Sequence, residues 1–283
     1  MTGSTPALGG SATSATVGAR LDIPVEVAGR LAISVAVAAG LDAAESLTIR
    51  RADGTDVPHH VLHLDRGTRV HVVDAPVGRL FVAYEATVAL GGGDAGGEPV
   101  EVTDSERFHY VLPSRYCPSD RVEGFAATEF GPVGDDTTTA QRVVSWVSER
   151  LYYTTGSTTS VDDALVPMGT GQGVCRDYAH LVVTMCRALG MPARYVSVYA
   201  PGLSPMDAHA VVEVAVDGVW RVFDATRLAP RASMVRIATG RDAADTAILT
   251  ALGGMSQPAA FTVLATSDPD LPVEDLDALV VLR

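Results

Sequence analysis

The sequence predicts an α+β protein in which a β-rich first part precedes a second part that combines helices with strands. Apolar residues alternate with polar or small ones along Leu21–Val27, and turn residues separate further runs of this kind. Beyond a proline-containing linker at 112–120, two segments carry apolar residues at helical spacing. Alternating runs return beyond residue 194. These observations predict a small β-sandwich followed by an α+β domain.

The first part contains a long strand candidate, Arg79–Leu90, which is rich in β-branched and aromatic residues. A glycine-rich stretch at 91–97 is expected to turn the chain into a further strand around Val100–Val102. The first residues of the chain are small and polar, as is typical of a disordered tail. The resulting regions are a tail (1–18), an N-terminal β-sandwich domain (19–112) and a second domain (113–283).

Two helices are predicted in the second domain. The first runs through Ala140–Leu151, and residues of Asp135–Thr139 can cap its start. The second extends from about Cys175 to Leu189, and Gly190 follows it as a C-terminal stop signal. Its apolar residues recur at three- and four-residue spacing, at positions Ala179, Val182, Val183, Cys186 and Leu189.

Strand-like segments follow the second helix, namely Arg194–Tyr199, His209–Val216 and Val219–Phe223. Asp217–Gly218 joins the last two segments. An Asp-Gly pair readily adopts the positive φ values of a two-residue turn, so these strands are predicted to form a hairpin.

The composition indicates which partners and which cellular compartment to expect. The 283 residues carry a net charge of −13, which would repel phosphate backbones, so we expect no nucleic-acid partner. No basic run favours a membrane surface, and no segment reaches the roughly 18 apolar residues that span a bilayer. Three widely spaced cysteines do not form a disulfide framework, which favours a reducing cytoplasm.

Cys175 is the strongest candidate for a reactive residue. A glycine-rich loop, Gly169–Gly173, delivers it to the predicted first turn of a helix. Unpaired N–H groups and the positive end of the helix dipole favour a thiolate at this position. The glycines allow the backbone to approach a substrate closely.

A thiolate nucleophile needs a base and a group that orients the base. His209 begins one strand of the predicted hairpin and Asp224 follows the other, at similar distances from the turn, with a register uncertainty of a residue or two. His180 is the rival base. It lies five residues after Cys175, so the two side chains point about 140° apart on the helix, and we expect a structural or rim position for His180.

These residues also carry a resemblance to a known family. The segment Gly173–Ala179 (GVCRDYA) resembles the cysteine motif of bacterial transglutaminase-like proteins. His209–Val214 (HAVVEV) and Gly218–Thr226 (GVWRVFDAT) resemble the histidine and aspartate strands of that family, and Ile237–Asp245 (IATGRDAAD) resembles its following loop. The similarity covers roughly residues 110–255, and the β-rich region before it resembles the domain often paired with this core.

The resemblance implies a papain-like core in which a helix carrying the cysteine packs on an antiparallel sheet carrying the histidine and aspartate. It also implies a Cys175–His209–Asp224 triad that forms a thioester. The family commonly has Trp at the position of Val211, Pro at that of Ala225 and an aromatic residue near Ala243. These departures indicate an altered pocket wall, so the substrate class is not carried over.

Three functions remain open at this point. The first is hydrolysis of an amide or isopeptide bond in a peptide or protein substrate. The second is acyl transfer to an amine acceptor, as in a transglutaminase or amide-forming enzyme. The third is a catalytically silent binding module. No metal or organic cofactor is implied.

Further site residues are less sharply indicated. Gln172 is a candidate for the second oxyanion donor, beside the N–H of Cys175. Five residues are candidates for the wall of the substrate pocket: Arg176, Asp177, Tyr178, Arg241 and Asp242. Cys117 and Cys186 are expected to be inert, and the histidines at 59, 60 and 63 to be a solvent-exposed cluster and not a zinc site.

Overall fold

The computed structural model describes residues 12–91, 96–131, 134–253 and 257–283. In chain order the strands are β1 (Ser14–Val25), β2 (Gly29–Ile33), β3 (Ala43–Arg51), β4 (His59–His63), β5 (Arg69–Ala75), β6 (Gly78–Ala89), β7 (Tyr152–Tyr153), β8 (Gln172–Gly173), β9 (Ala193–Tyr199), β10 (His209–Val216), β11 (Val219–Phe223), β12 (Val235–Gly240), β13 (Leu249–Ala251) and β14 (Ala260–Asp268). The helices are α1 (Asp104–His109), α2 (Glu123–Phe130), α3 (Asp136–Arg150), α4 (Leu165–Thr170) and α5 (Cys175–Ala188).

The N-terminal region is a sandwich of two four-stranded antiparallel sheets, in the orders β14-β1-β6-β3 and β13-β2-β5-β4. Alternating side chains of β1 and β6 point into a shared apolar core, because successive residues of a strand face opposite sides of its sheet. The predicted β-sandwich is therefore confirmed.

Two boundaries differ from the prediction. β1 begins at Ser14 and buries Ala15 and Val17, so the last residues of the predicted tail belong to the sandwich. The first 11 residues lie outside the described part of the chain. β13 and β14 come from the predicted second domain but pair with β2 and β1. These pairings join residues more than 200 positions apart, so no local sequence pattern could predict them.

The predicted strand around Val100–Val102 was wrong. Glu101 forms only an isolated bridge with Val219, and the N–H of Val102 donates to the carbonyl of Gly218 at 2.8 Å. This segment rests against the hairpin turn and is not part of a sheet. Of the predicted glycine-rich turn before it, residues 92–95 lie outside the described part of the chain.

The second region packs helices against an antiparallel sheet of order β11-β10-β9-β12. α5 is the central helix, and its apolar side chains share a core with α2, α3 and the inward face of β9 and β10. The α+β fold with a papain-like core is thus confirmed. The core sheet also meets the sandwich, because Tyr199 packs into the sandwich core and its hydroxyl donates to the carbonyl of Val35 at 2.7 Å.

The β10–β11 hairpin turns at the predicted place. Asp217 and Gly218 have φ values of 50° and 77°, as a two-residue hairpin turn requires. Val216 pairs with Val219, and Val212 pairs with Phe223. Continuing this register places His209 two positions out of line with Asp224, a diagonal arrangement that side chains of this length can bridge.

Candidate active site

A short parallel ribbon positions the loop that leads to Cys175. Tyr152 pairs with Gln172, and Tyr153 pairs with Gly173. The N–H of Thr154 also donates to the carbonyl of Gly173 at 2.9 Å. The ribbon therefore fixes the loop directly before α5 and brings the side chains of β7 towards the start of that helix.

Asp177 ties the same loop to the first turn of α5. Its Oδ2 atom accepts hydrogen bonds from the Val174 N–H at 2.9 Å and from the Thr158 hydroxyl at 2.5 Å. A side chain at Gly173 would place its Cβ atom 2.8 Å from the Cβ of Asp177, so only glycine fits without a shift. Cys175 is thus held as the first residue of α5, at the end of a helix where the N–H groups lack a preceding turn to bond to.

His209 and Asp224 form a buried hydrogen-bonded pair. Nε2 of His209 lies 2.8 Å from Oδ2 of Asp224, and their side chains are 0% and 3% exposed. The other carboxylate oxygen, Oδ1, accepts hydrogen bonds from the N–H and hydroxyl of Thr226 at 2.8 and 2.7 Å. With both oxygens engaged, the carboxylate is fixed and the imidazole ring is oriented.

The thiol of Cys175 lies against the strand that carries this pair. Its Sγ atom is 3.8 Å from the carbonyl oxygen of Ala208, the residue before His209. Nδ1 of His209 is buried and has no hydrogen-bond partner among the described residues. The ring nitrogen that is not bonded to Asp224 is therefore the one left for the thiol.

The electrostatics of the pair favour a protonated imidazole. Burial opposes charge on His209, but Asp224 and, more weakly, Cys175 outweigh it and raise the pKa of His209 to about 10. Burial also opposes charge on Asp224, yet His209 and Thr226 lower the pKa of Asp224 below its ordinary value. A proton leaving the thiol can therefore reside on His209.

Tyr153 is a neighbour of Cys175 that the sequence did not indicate. It pairs with Gly173 in the ribbon, and its ring centroid lies 6.1 Å from that of Tyr178. Burial raises the pKa of Tyr153 to about 12. The thiol of Cys175 adds to this rise, whereas the backbone N–H of Cys175 opposes it. Only the parallel pairing of β7 with β8 creates this contact, so no local motif could reveal it.

The predicted pocket residues next to Cys175 form hydrogen bonds within the protein that hold the surrounding segments in place. Arg176 donates to Oδ1 of Asp177 and to the carbonyl of Thr159, at 3.1 and 2.6 Å. The hydroxyl of Tyr178 donates to the carbonyl of Leu151 at 2.5 Å. The side chain of Gln172 is exposed.

The more distant pocket candidates also make framework contacts. Arg241 is exposed and forms a salt bridge of 2.9 Å with Asp245. Asp242 is buried, and its carboxylate accepts the N–H groups of Tyr116 and Ala244, each at 2.9 Å. The structure therefore brings together Cys175, His209 and Asp224 but keeps these two side chains occupied elsewhere.

His180 lies in the core, where its ring stacks on Tyr116 with the centroids 5.2 Å apart. Nε2 of His180 accepts the N–H of Ala243 at 3.1 Å, which requires a neutral ring nitrogen. Burial lowers the pKa of His180 to about 3. Of the two positions predicted for His180, structural or at the rim, the structure shows the structural one.

The remaining cysteines are shielded. Cys117 and Cys186 are both fully buried, and burial raises the pKa of each thiol to about 12. His59, His60 and His63 are exposed on β4. Within the described ranges, no group of three or more His, Cys, Asp or Glu side chains is arranged to hold a metal ion. Over the same ranges, no helix is long and apolar enough to cross a membrane.

Comparison with known proteins places this site in a family context. Residues 124–225, which include the cysteine, histidine and aspartate, match the family model of the transglutaminase-like superfamily. An uncharacterized protein of Mycobacterium leprae is 27% identical over 156 residues, which is 51% of this chain and 55% of that protein. The chain therefore aligns with about half the length of this curated relative.

Among solved structures, one from Cytophaga hutchinsonii, described as a candidate cysteine protease, has a TM-score of 0.83 and 28% identity. That similarity covers 95% of this chain and 96% of the other. The periplasmic domain of TgpA from Pseudomonas aeruginosa has a TM-score of 0.39 and 18% identity, over 80% of this chain and 94% of that domain. The family match over residues 124–225 and the similarity to the Cytophaga structure support a transglutaminase-like protein.

Proposed function

We propose that this protein is a thiol-dependent hydrolase of amide or isopeptide bonds in peptides or proteins. Cys175 is the nucleophile, His209 the base and Asp224 the group that orients the base. The observation that carries the proposal is the buried 2.8 Å contact between His209 and Asp224, which leaves Nδ1 of the histidine for the thiol at the start of α5. A base fixed in this way is the recurring partner of a nucleophilic cysteine.

The reaction proceeds in two steps. His209 takes the proton of Cys175, and the thiolate attacks the carbonyl carbon of the substrate. The C–N bond breaks, the amine leaves with the proton from His209, and a thioester remains on Cys175. Water then attacks the thioester with His209 as base, which releases a carboxylic acid and restores the thiol.

Tyr153 is our preferred candidate for the second oxyanion donor. Its hydroxyl lies beside the N–H of Cys175, which is the first donor. Gln172, the candidate from the sequence, has an exposed side chain and remains the alternative. Tyr153→Phe is expected to lower the acylation rate about 100- to 1,000-fold while alkylation by iodoacetamide, which forms no oxyanion, changes little. If Gln172→Ala produces this pattern and Tyr153→Phe does not, the assignment is reversed.

Transfer to an amine is the second candidate, because the same thioester reacts with either water or an amine. Hydrolysis is preferred on two grounds. Tyr153 beside the thiol is 46% exposed, which leaves water near the thioester, and the related Cytophaga structure is described as a candidate protease. Product analysis by mass spectrometry, with and without an added primary amine, separates the two. A cytoplasmic location is also part of the proposal, based on the cysteine content.

The first experiment measures iodoacetamide labelling of each cysteine against pH, in the wild type and in His209→Ala. Cys175 is expected to react much faster than Cys117 and Cys186, which serve as internal controls because they are buried. The histidine substitution is expected to remove that advantage at neutral pH. If Cys175 reacts like an ordinary thiol and ignores the substitution, the nucleophile assignment fails and the binding-module alternative takes its place.

A further inference from the structure

Asp207 places an exposed carboxylate at the rim of the site. The chain runs from Asp207 through Ala208, whose carbonyl oxygen lies 3.8 Å from Sγ of Cys175, to the buried His209. Oδ1 of Asp207 accepts the N–H of Ala208 at 2.7 Å, so the carboxylate is held beside the backbone that touches the thiol. The charge of Asp207 also makes a small contribution to the raised pKa of Tyr153, which lies on the other side of Cys175.

No cation neutralises this carboxylate in the part of the chain that the structure describes. Asp207 takes part in no salt bridge there. The nearest arginine in sequence to Cys175 is Arg176, which is bonded to Asp177 and to the carbonyl of Thr159. The other charged groups next to the thiol, His209 and Asp224, neutralise each other. Neither pair compensates the charge of Asp207, which stays exposed beside the site.

The charge of the whole chain acts in the same direction. With 34 acidic and 21 basic residues, the net charge of −13 attracts cations and repels anions at long range. A substrate with a positive group near its reactive carbonyl is attracted both by Asp207 and by the net charge of the chain. A substrate with a carboxylate at the same place is repelled by Asp207.

We propose that Asp207 selects substrates that carry an ammonium or guanidinium group next to the amide that reacts. This inference rests on the proposed function, because it concerns the substrate of Cys175. An exposed ion pair of this kind changes relative rates by about two- to fivefold. Asp207 is thus a specificity-determining residue, and the chemistry does not depend on it.

Peptidyl acyloxymethyl ketones test this inference, because a reactive cysteine displaces their carboxylate and forms a stable thioether. Three probes carry lysine, norleucine or glutamate next to the ketone and are otherwise identical. Lysine and norleucine differ mainly in the ammonium group. The measured quantity is the second-order labelling rate at Cys175, in the wild type, Asp207→Asn and Asp74→Asn. Asparagine retains an oxygen for the Ala208 N–H, and Asp74, exposed on β5, controls for removal of a charge elsewhere.

The wild type is expected to prefer lysine to norleucine about two- to fivefold and to react most slowly with glutamate. Asp207→Asn is expected to bring the lysine and norleucine rates together, and Asp74→Asn to leave the ratio unchanged. Equal rates for all probes in the wild type, with Cys175 still labelled faster than Cys117, overturn the charge selection and leave the proposed function intact. A Cys175 that reacts with no probe and is no faster with iodoacetamide than Cys117 overturns both.

Discussion

Two buried histidines, one in each half of the molecule, have pKa values on opposite sides of the ordinary value. His209, on β10, has its pKa raised to about 10, with Asp224 at 2.8 Å. His71, on β5 of the sandwich, has its pKa lowered to about 4 by burial and by the neighbouring His59 and Arg69. Neither ring nitrogen of His71 has a hydrogen-bond partner among the described residues.

The difference shows that burial alone does not make a histidine reactive. Removing water disfavours the charged form, as it does at His71 and also at His180 in the helical core. A carboxylate at hydrogen-bond distance reverses that effect, because it stabilises the imidazolium more than burial destabilises it. In this molecule, Asp224 therefore makes His209 a proton acceptor.

The largest expected effect comes from removing that carboxylate. Asp224→Asn makes His209 resemble His71, so its pKa should fall from about 10 to below the ordinary value of 6.5. The rate of acylation at Cys175 should fall by about 10⁴-fold at pH 7. NMR titration of the ring and acylation kinetics measure the two effects. In a His209→Ala background the substitution should add nothing, because the two residues act as a unit.

The same substitution has a predictable effect on stability. Since the folded-state pKa of His209 lies above the unfolded value of about 6.5, the pair stabilises the fold fully below pH 6.5, and this contribution is lost as the pH rises towards 10. Urea unfolding of the wild type and Asp224→Asn should therefore differ more at pH 6 than at pH 10. A difference that is equal at both pH values would contradict the raised pKa.

The lowered pKa of His71 predicts that its contribution to the free energy of unfolding depends on pH in the opposite direction. Its folded-state pKa lies below the unfolded value, so its protonation costs stability progressively as the pH falls from about 6.5 to 4. A shift of this size corresponds to about 3 kcal/mol. His71→Leu should remove that loss, seen as a flatter free energy of unfolding between pH 7.5 and 4.5. The exposed His60, replaced in His60→Gln, serves as the control and should retain the loss. An unchanged slope in His71→Leu would assign the acid sensitivity to other groups.

The sequence revealed the parts of the site that local patterns specify. Helix α5 begins at Cys175, as the glycine-rich loop and apolar spacing indicated, and Asp217–Gly218 forms the hairpin turn. The turn fixes the register of β10 and β11. In this register His209 and Asp224 are two positions out of line and still within reach of each other. These features depend on short stretches of chain, and their physical rules can be read locally.

Contacts between distant segments could not be read in this way. Tyr153 meets Cys175 only because β7 pairs with β8 across an intervening helix. Asp242, predicted to face the substrate, is instead held by the N–H of Tyr116, 126 positions earlier. The return of β13 and β14 to the sandwich belongs to the same class of long-range pairing.

The smallest expected effect is also the most direct test of the comparison, because it introduces a carboxylate beside His71. The rings of His59 and His71 have centroids 5.1 Å apart, and His59 is exposed, so a substitution there should leave the fold unchanged. His59→Glu replaces a repulsive charge with an attractive one and should raise the pKa of His71 by about one unit.

His59→Gln separates the two contributions, because it removes the repulsion without adding a carboxylate. NMR titration of His71 should give the order wild type, His59→Gln, His59→Glu, from the lowest pKa to the highest. Even the highest should stay below that of His209, because a glutamate on an exposed strand is screened by water whereas Asp224 is buried. If the pKa of His71 is the same in His59→Glu and His59→Gln, a nearby carboxylate alone is not sufficient to raise the pKa of a buried histidine. The raised pKa of His209 would then depend on the direct, buried hydrogen bond to Asp224.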